Sequence, residues 1–145
     1  MYLVHTNVIS ERRKGRRADP GVTRFIDDNA NELFLPVLVL GEILSGIEHI
    51  RNRGDLSQAN LLDTWYQSIK AEFVDRFLAF DIACAELWGK LMGLNDQHAV
   101  DKQVAAIALV YDLTIVSRNV RHYESTGVRL LNPFIADRTP GTPAD

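Results

Sequence analysis

The sequence predicts an α/β domain: a parallel β-sheet with helices on both faces. Three observations predict it. Short apolar runs of strand length alternate along the chain with longer stretches of helical period. At 145 residues and 46% apolar, the chain suits one domain that buries about 70% of its unfolded surface. The first and fourth apolar runs are each followed at once by polar residues, His5-Thr6-Asn7 and Ser117-Arg118-Asn119. In open parallel sheets, ligands bind beyond such carboxyl ends.

The elements follow in order. Leu3-Val4 reads as a buried strand, stopped by the capping types Thr6-Asn7. A short basic helix runs from Val8 to Lys14. Pro20 starts a second helix through Phe25-Ile26, ending near Asn29 to Asn31. Leu33-Phe34-Leu35 is a strand closed by Pro36. Val37 to Ile50 is an amphipathic helix, with Leu40, Ile43, Leu44 and Ile47 as its apolar stripe. Asp55 or Ser57 caps a helix carrying Leu61, Leu62, Trp65, Ile69 and Phe73. Phe77 to Phe80 is a strand, and Asp81 begins a helix with Ala85, Trp88, Leu91 and Met92. Val100 to Tyr111 is a helix, Thr114 to Val116 a strand, and Val128 to Leu131 a fifth strand. The domain is expected to span 1–136, with 137–145 a flexible polar tail.

Composition excludes several classes. The net charge of −3 is not that of a general polyanion binder. No apolar run has bilayer length and no signal peptide opens the chain. Lone Cys84 excludes a disulfide framework and favours a reducing, cytoplasmic setting. There is no GxGxxG after the first strand, no P-loop and no G-x-S-x-G elbow. Arg12, Arg13, Lys14, Arg16 and Arg17 put five of sixteen cations into six positions. They form either a solvated helix end or a local phosphate-attracting patch.

Five polar positions carry candidate chemistry. Glu42 lies opposite the expected stripe, on a face with Ser45, Gly46 and His49. It is either an ordinary surface carboxylate or one with room for a ligand. Asp101, near the start of its helix, either complements the helix dipole or is aimed rigidly at the sheet's carboxyl end. His5 follows the first strand, and Asn119 and His122 follow the fourth. Hydrolysis of phosphodiesters needs hard oxygen ligands on different elements. Glu42 and Asp101 are the acids that fall at such places, with Asp96 an extra.

Four blocks resemble a known family in order. They are Tyr2-Leu-Val-His-Thr-Asn-Val-Ile-Ser-Glu11, Val39-Leu-Gly-Glu-Ile-Leu-Ser-Gly46, Val100-Asp-Lys-Gln-Val-Ala-Ala-Ile-Ala-Leu109, and Leu113 to Glu124 followed by Gly127-Val and Asn132-Pro-Phe. Together they resemble PIN-domain proteins, specifically VapC-type toxins of the FitB-like branch. The resemblance implies a three-layer α/β/α domain with a central parallel sheet and cleavage of RNA with Mg²⁺ or Mn²⁺. It also implies homodimerisation, capture by a VapB-type antitoxin, and contact with DNA only through that antitoxin. No membrane role is implied. Carried onto this chain, it makes Glu42, Asp101, His5 and Asn119 the catalytic positions, the first three being metal ligands. Thr6 and Ser117 become hydroxyls that orient those ligands. Arg12, Arg13, Arg118 and Arg121 become contacts for RNA phosphates.

Two positions depart from the family pattern. Its first-strand aspartate is His5 here, and its last acidic position, Asn119 or His122, is not acidic. Imidazole suits Zn²⁺, Ni²⁺ or Cu²⁺ better than Mg²⁺, so reduced Mg²⁺-dependent catalysis is expected. His5 is either an inactivating substitution or the native ligand. The rival reading is an inactive homologue that dimerises and holds its antitoxin, an antitoxin arginine pairing with Glu42 and Asp101. A small-molecule phosphoesterase on the same fold is a third.

Overall fold

The computed structural model describes residues 1–138. Five short strands form one parallel sheet in the order β3-β2-β1-β4-β5: β1 (Tyr2–Val4), β2 (Leu33–Pro36), β3 (Phe77–Leu78), β4 (Thr114–Val116) and β5 (Leu130–Leu131). In β1, Leu3 faces one side of the sheet and Val4 the other. Ile115 and Val116 divide the same way in β4. That is the period of two that strands impose. With apolar residues facing both ways, helices must cover both faces.

On one face lie α5 (Ile82–Leu94) and α6 (Ala99–Val110). Val104 to Ala108 of α6 are all fully buried, because small side chains let the helix lie close on Leu3 and Ile115. On the other face lie α1 (Thr6–Arg12), α2 (Pro20–Asp28) and the end of α4, packed on Val4, Leu33, Leu35 and Val116. The three-layer α/β/α arrangement is as the sequence predicts. The α3 (Leu38–Asn52) and α4 (Leu56–Glu72) hairpin closes on Val39, Ile43, Ile47, Ala59, Leu62 and Tyr66. Each large aliphatic among them contributes about 1.5–3 kcal/mol by burial.

Side-chain caps start three of the six α-helices among the described residues. Asp19 accepts from Gly21 N and Val22 N, with Pro20 in the first turn of α2. Asp55 caps α4 through Gln58 N, and Asp81 caps α5 through Cys84 N. The Asp19 carboxylate also accepts from Ile135 N and Ala136 N, both at 3.0 Å, tying the C-terminal segment to α2. Gly21 permits that approach, because a Cβ there would lie 2.2 Å from the Pro133 carbonyl oxygen.

Several expectations are corrected. Helix α1 starts at Thr6 rather than Val8, since His5 in extended backbone ends the strand and opens the helix in one step. It stops at Arg12, and Gly15–Arg17 is a separate 3₁₀ turn. The buried stripe of α3 is Val39, Ile43 and Ile47, while Leu44 is exposed. Leu61 of α4 is exposed, as is Ala85 of α5. Strands β3 and β5 each shrink to two residues, and a 3₁₀ helix at Val120–Thr126 was not anticipated. Of the expected tail, residues 139–145 lie outside the described residues, whereas Asp137 ends a 3₁₀ turn and pairs with Arg118. No helix among the described residues is long and apolar enough to cross a membrane.

Candidate metal centre

From β1 the strand order runs outward to β2 and β3 on one side and to β4 and β5 on the other. The chain therefore leaves β1 and β4 at the sheet's switch point, where parallel sheets open a crevice at their carboxyl ends. His5 and Ser117 stand there. His5 N donates to Val116 O, extending the ladder by one bond. Asn7 pins the two strand ends together: its Nδ2 donates to Ser117 Oγ, and its Oδ1 accepts from Arg118 N.

Glu42 and Asp101 reach this crevice from opposite sides of the fold. Glu42 flanks the buried stripe of α3 rather than opposing it, and so points inward at the stripe's edge, half-buried. Thr6 Oγ1 donates to Glu42 Oε1 at 3.1 Å. Asp101 stands in the first turn of α6, where the helix dipole favours a carboxylate. Its Oδ1 accepts from Tyr123 OH at 3.2 Å, and its Oδ2 lies 2.8 Å from His122 Nδ1.

His5 lies between the two acids. Its Nε2 is 3.5 Å from Asp101 Oδ1 and 3.8 Å from Glu42 Oε1. The residue is only 6% exposed, and neither ring nitrogen has a hydrogen-bond partner. Burial alone raises the Asp101 pKa, but the His5 and His122 nitrogens outweigh it and hold the carboxyl below its usual range. Burial, together with the negative charge of Asp101, pushes the Tyr123 phenol well above its ordinary value, so it stays a donor.

Other expected site residues stand at varying distance from this basin. Ser117 is fully buried and supports Asn7 and the Asn119 N–H, not the carboxylates. Arg118, Asn119, Arg121 and His122 line one cleft of about 330 Å³ beside the basin. Arg118 is held there by Asp137 and lies over the Phe134 ring. Arg12 makes a bidentate pair with Glu72, and Arg13 lies over Trp65, so both turn towards α4. At 1.5 Å per residue they sit about 9 Å along α1 from Thr6. Arg16 and Arg17 are exposed, and Asp96 lies in the exposed connection before α6. Sequence reasoning missed Tyr123 and His98. His98 precedes Asp101 by three residues, which was its only local signal.

The match to known proteins is consistent with this geometry. The PIN domain family profile matches residues 2–127, and the chain belongs to the PIN-domain family. It is 32% identical over 145 aligned residues to the plasmid stability protein StbB of Pseudomonas syringae pv. tomato, covering 94% of this chain and all of that one. It is 26% identical over 140 residues to toxin FitB of Neisseria gonorrhoeae, covering 92% and 99% of the two chains. The crystal structure of FitAcB from that organism superposes with a TM-score of 0.78 at 26% identity, covering 92% of this chain and 98% of that one. VapBC2 from Rickettsia felis, bound to a promoter DNA fragment, shares the fold at a TM-score of 0.65 and 18% identity, with 90% and 97% covered.

PIN domains are generally metal-dependent. Two carboxylates flank one buried imidazole whose nitrogens are otherwise unpartnered; these donor types suit a dication, which would have to draw the three side chains closer together to be held by all of them. One nitrogen among the donors suits a borderline ion better than Mg²⁺, which prefers all-oxygen octahedra.

Proposed function

We propose that the chain is the toxin of a type II toxin–antitoxin pair, an endoribonuclease dependent on Mg²⁺ or Mn²⁺, and that His5 lowers its activity. The observation that carries this reading is the meeting of Glu42, from α3, and Asp101, from α6, around His5 Nε2. The relatives named as a toxin and as a plasmid stability protein support it.

In this reading His5, Glu42 and Asp101 hold the ion, with Asn119 beside them. A dication bound there supplies Lewis acidity, both to acidify a water and to offset charge on the phosphoryl oxygens. Thr6 fixes the Glu42 carboxylate by its hydroxyl, and Tyr123 fixes Asp101. Arg118 and Arg121, in the neighbouring cleft, orient RNA by its phosphates. The partners are a VapB-type antitoxin and a second copy of the chain, with DNA reached through the antitoxin in the cytoplasm. Structures of relatives described as FitAB and VapBC2 bound to DNA support that assembly.

One observation favours a second reading. The His5 imidazole stands within 4 Å of both carboxylates, where a cation would otherwise balance them. A toxin homologue so altered would retain the groove and bind its antitoxin without cutting RNA. Protein freed of antitoxin is assayed on structured RNA with Mg²⁺ or Mn²⁺, as wild type, His5→Asp and Glu42→Gln. Weak cleavage in Mn²⁺ by wild type, stronger cleavage by His5→Asp and none by Glu42→Gln support the nuclease. No cleavage by wild type or His5→Asp leaves the binding protein.

A further inference from the structure

Asp101 has a second set of neighbours on the side away from Glu42. His98 and His122 lie with rings stacked, 4.1 Å apart and 17° from parallel. His122 Nδ1 is 2.8 Å from Asp101 Oδ2, and His98 Nδ1 is 4.0 Å from the same oxygen. One donor atom from each residue falls within 4.8 Å of the others. Both histidines are partly exposed, so an ion can arrive from solvent. His98 adopts φ 55°, ψ 49°, a left-handed conformation that non-glycine residues seldom take. Beneath this cluster, buried and unpartnered, His5 directs Nε2 at the other oxygen of the same carboxylate.

We propose that His98, Asp101 and His122 form a binding site for a nitrogen-preferring transition dication of the Zn²⁺, Co²⁺ or Ni²⁺ class. Two imidazoles and one carboxylate are a donor set that such ions favour over Mg²⁺. Metal–nitrogen bonds of 2.0–2.1 Å set ligand atoms about 3.3 Å apart around a tetrahedral ion. To meet that spacing the His122–Asp101 contact opens slightly, His98 closes, and the two rings turn out of their stack so that both in-plane lone pairs face the ion. The fourth position faces water. Asp101 is shared: Oδ2 serves this ion, while Oδ1 faces His5 and Tyr123. The site goes beyond the nuclease reading and stands without it.

The test uses untagged, metal-stripped protein and no RNA. Co²⁺ binding is followed by its visible absorption, and Zn²⁺ affinity by competition with a chromophoric chelator. His98→Asn keeps a residue that tolerates the left-handed backbone, and circular dichroism verifies the fold of each variant. The expected result is a tight Zn²⁺ that excess Mg²⁺ does not displace, distinct from any weaker ion whose binding is lost in Glu42→Gln. His98→Asn and His122→Gln should each weaken the tight binding by about tenfold or more, and Glu42→Gln should leave it nearly unchanged. No Co²⁺ spectrum in the wild type, indifference to both histidine substitutions, or equal loss in Glu42→Gln overturns the site. Because RNA cleavage is not read, failure of the nuclease reading leaves this result standing, and the reverse also holds.

Discussion

His5 Nε2 stands 3.5 Å from Asp101 Oδ1, although one residue directly follows β1 and the other lies in the first turn of α6, ninety-six positions later. The imidazole is buried between two carboxylates and hydrogen-bonded to neither. The ring fills the space between the two carboxylates and adds no negative charge there. Replacing it by a carboxylate would leave three acids facing one another.

His5→Asp should therefore be less stable than wild type in chelator, by about 1 kcal/mol or more, roughly 2–4 °C in Tm. Mn²⁺ should raise the Tm of His5→Asp more than that of wild type, since an ion that binds only the folded state stabilises it. Thermal melts with and without metal measure both. An equal Mn²⁺ response in the two proteins would speak against an ion site at position 5.

Thr6 bonds Glu42 through a single hydroxyl at 3.1 Å. Thr6→Val, which keeps the shape and removes the donor, should cost about 1 kcal/mol of stability. Metal-dependent cleavage should fall by about 10–100-fold, and Thr6→Ser should retain most of it. Kinetics in parallel with urea melts separate the two effects.

Tyr123 is fully buried with its hydroxyl on Asp101. Tyr123→Phe removes one donor to a mostly buried carboxylate and should cost about 1–3 kcal/mol. Tyr123→Ala also opens a cavity and should cost about 3–5 kcal/mol. Denaturant midpoints rank the pair, and equal costs would mean that the hydroxyl alone matters and the ring adds nothing.

Asp19 gives the fold an acid limb. Burial raises its pKa, but the N–H groups of Ala136, Ile135, Gly21 and Val22 together hold it below the ordinary carboxylate value. A carboxyl depressed by folding contributes fully above its unfolded pKa, near 4, and loses that contribution as pH falls through the folded value. Melting temperature should thus drop below about pH 4, and Asp19→Asn should flatten that drop. Asp19→Ala should cost about 0.5–2 kcal/mol at neutral pH through the lost cap. Thermal melts from pH 2 to 7 decide.

Much of this architecture was legible because it is local. Leu3-Val4 and Thr114 to Val116 are apolar pairs and triplets cut off by polar residues, and both are strands in register. Asp19, Asp55 and Asp81 announce helix starts by capping chemistry. What failed was the choice among neighbouring leucines. Leu40, Ile43, Leu44 and Ile47 fit a helical stripe as well as Val39, Ile43 and Ile47 do, and only packing against α4 separates them. That choice also set Glu42 on the wrong face. Tyr123 and His98 were invisible for another reason: their partner, Asp101, is brought to Tyr123 by the crossover into β4, and His98 depends on a left-handed turn that no residue type demands. The pairing of Arg12 with Glu72 spans sixty positions and leaves no trace along the chain.

The central claim is that Glu42 and Asp101 grip a dication beside His5. Crystals soaked in Mn²⁺, with diffraction collected at the manganese edge, test it most directly. The account predicts an anomalous peak in the space bounded by His5 Nε2, Glu42 Oε1 and Asp101 Oδ1, and its loss in Glu42→Gln. No peak there at a Mn²⁺ concentration that supports RNA cleavage, or a peak that survives Glu42→Gln undiminished, would contradict it.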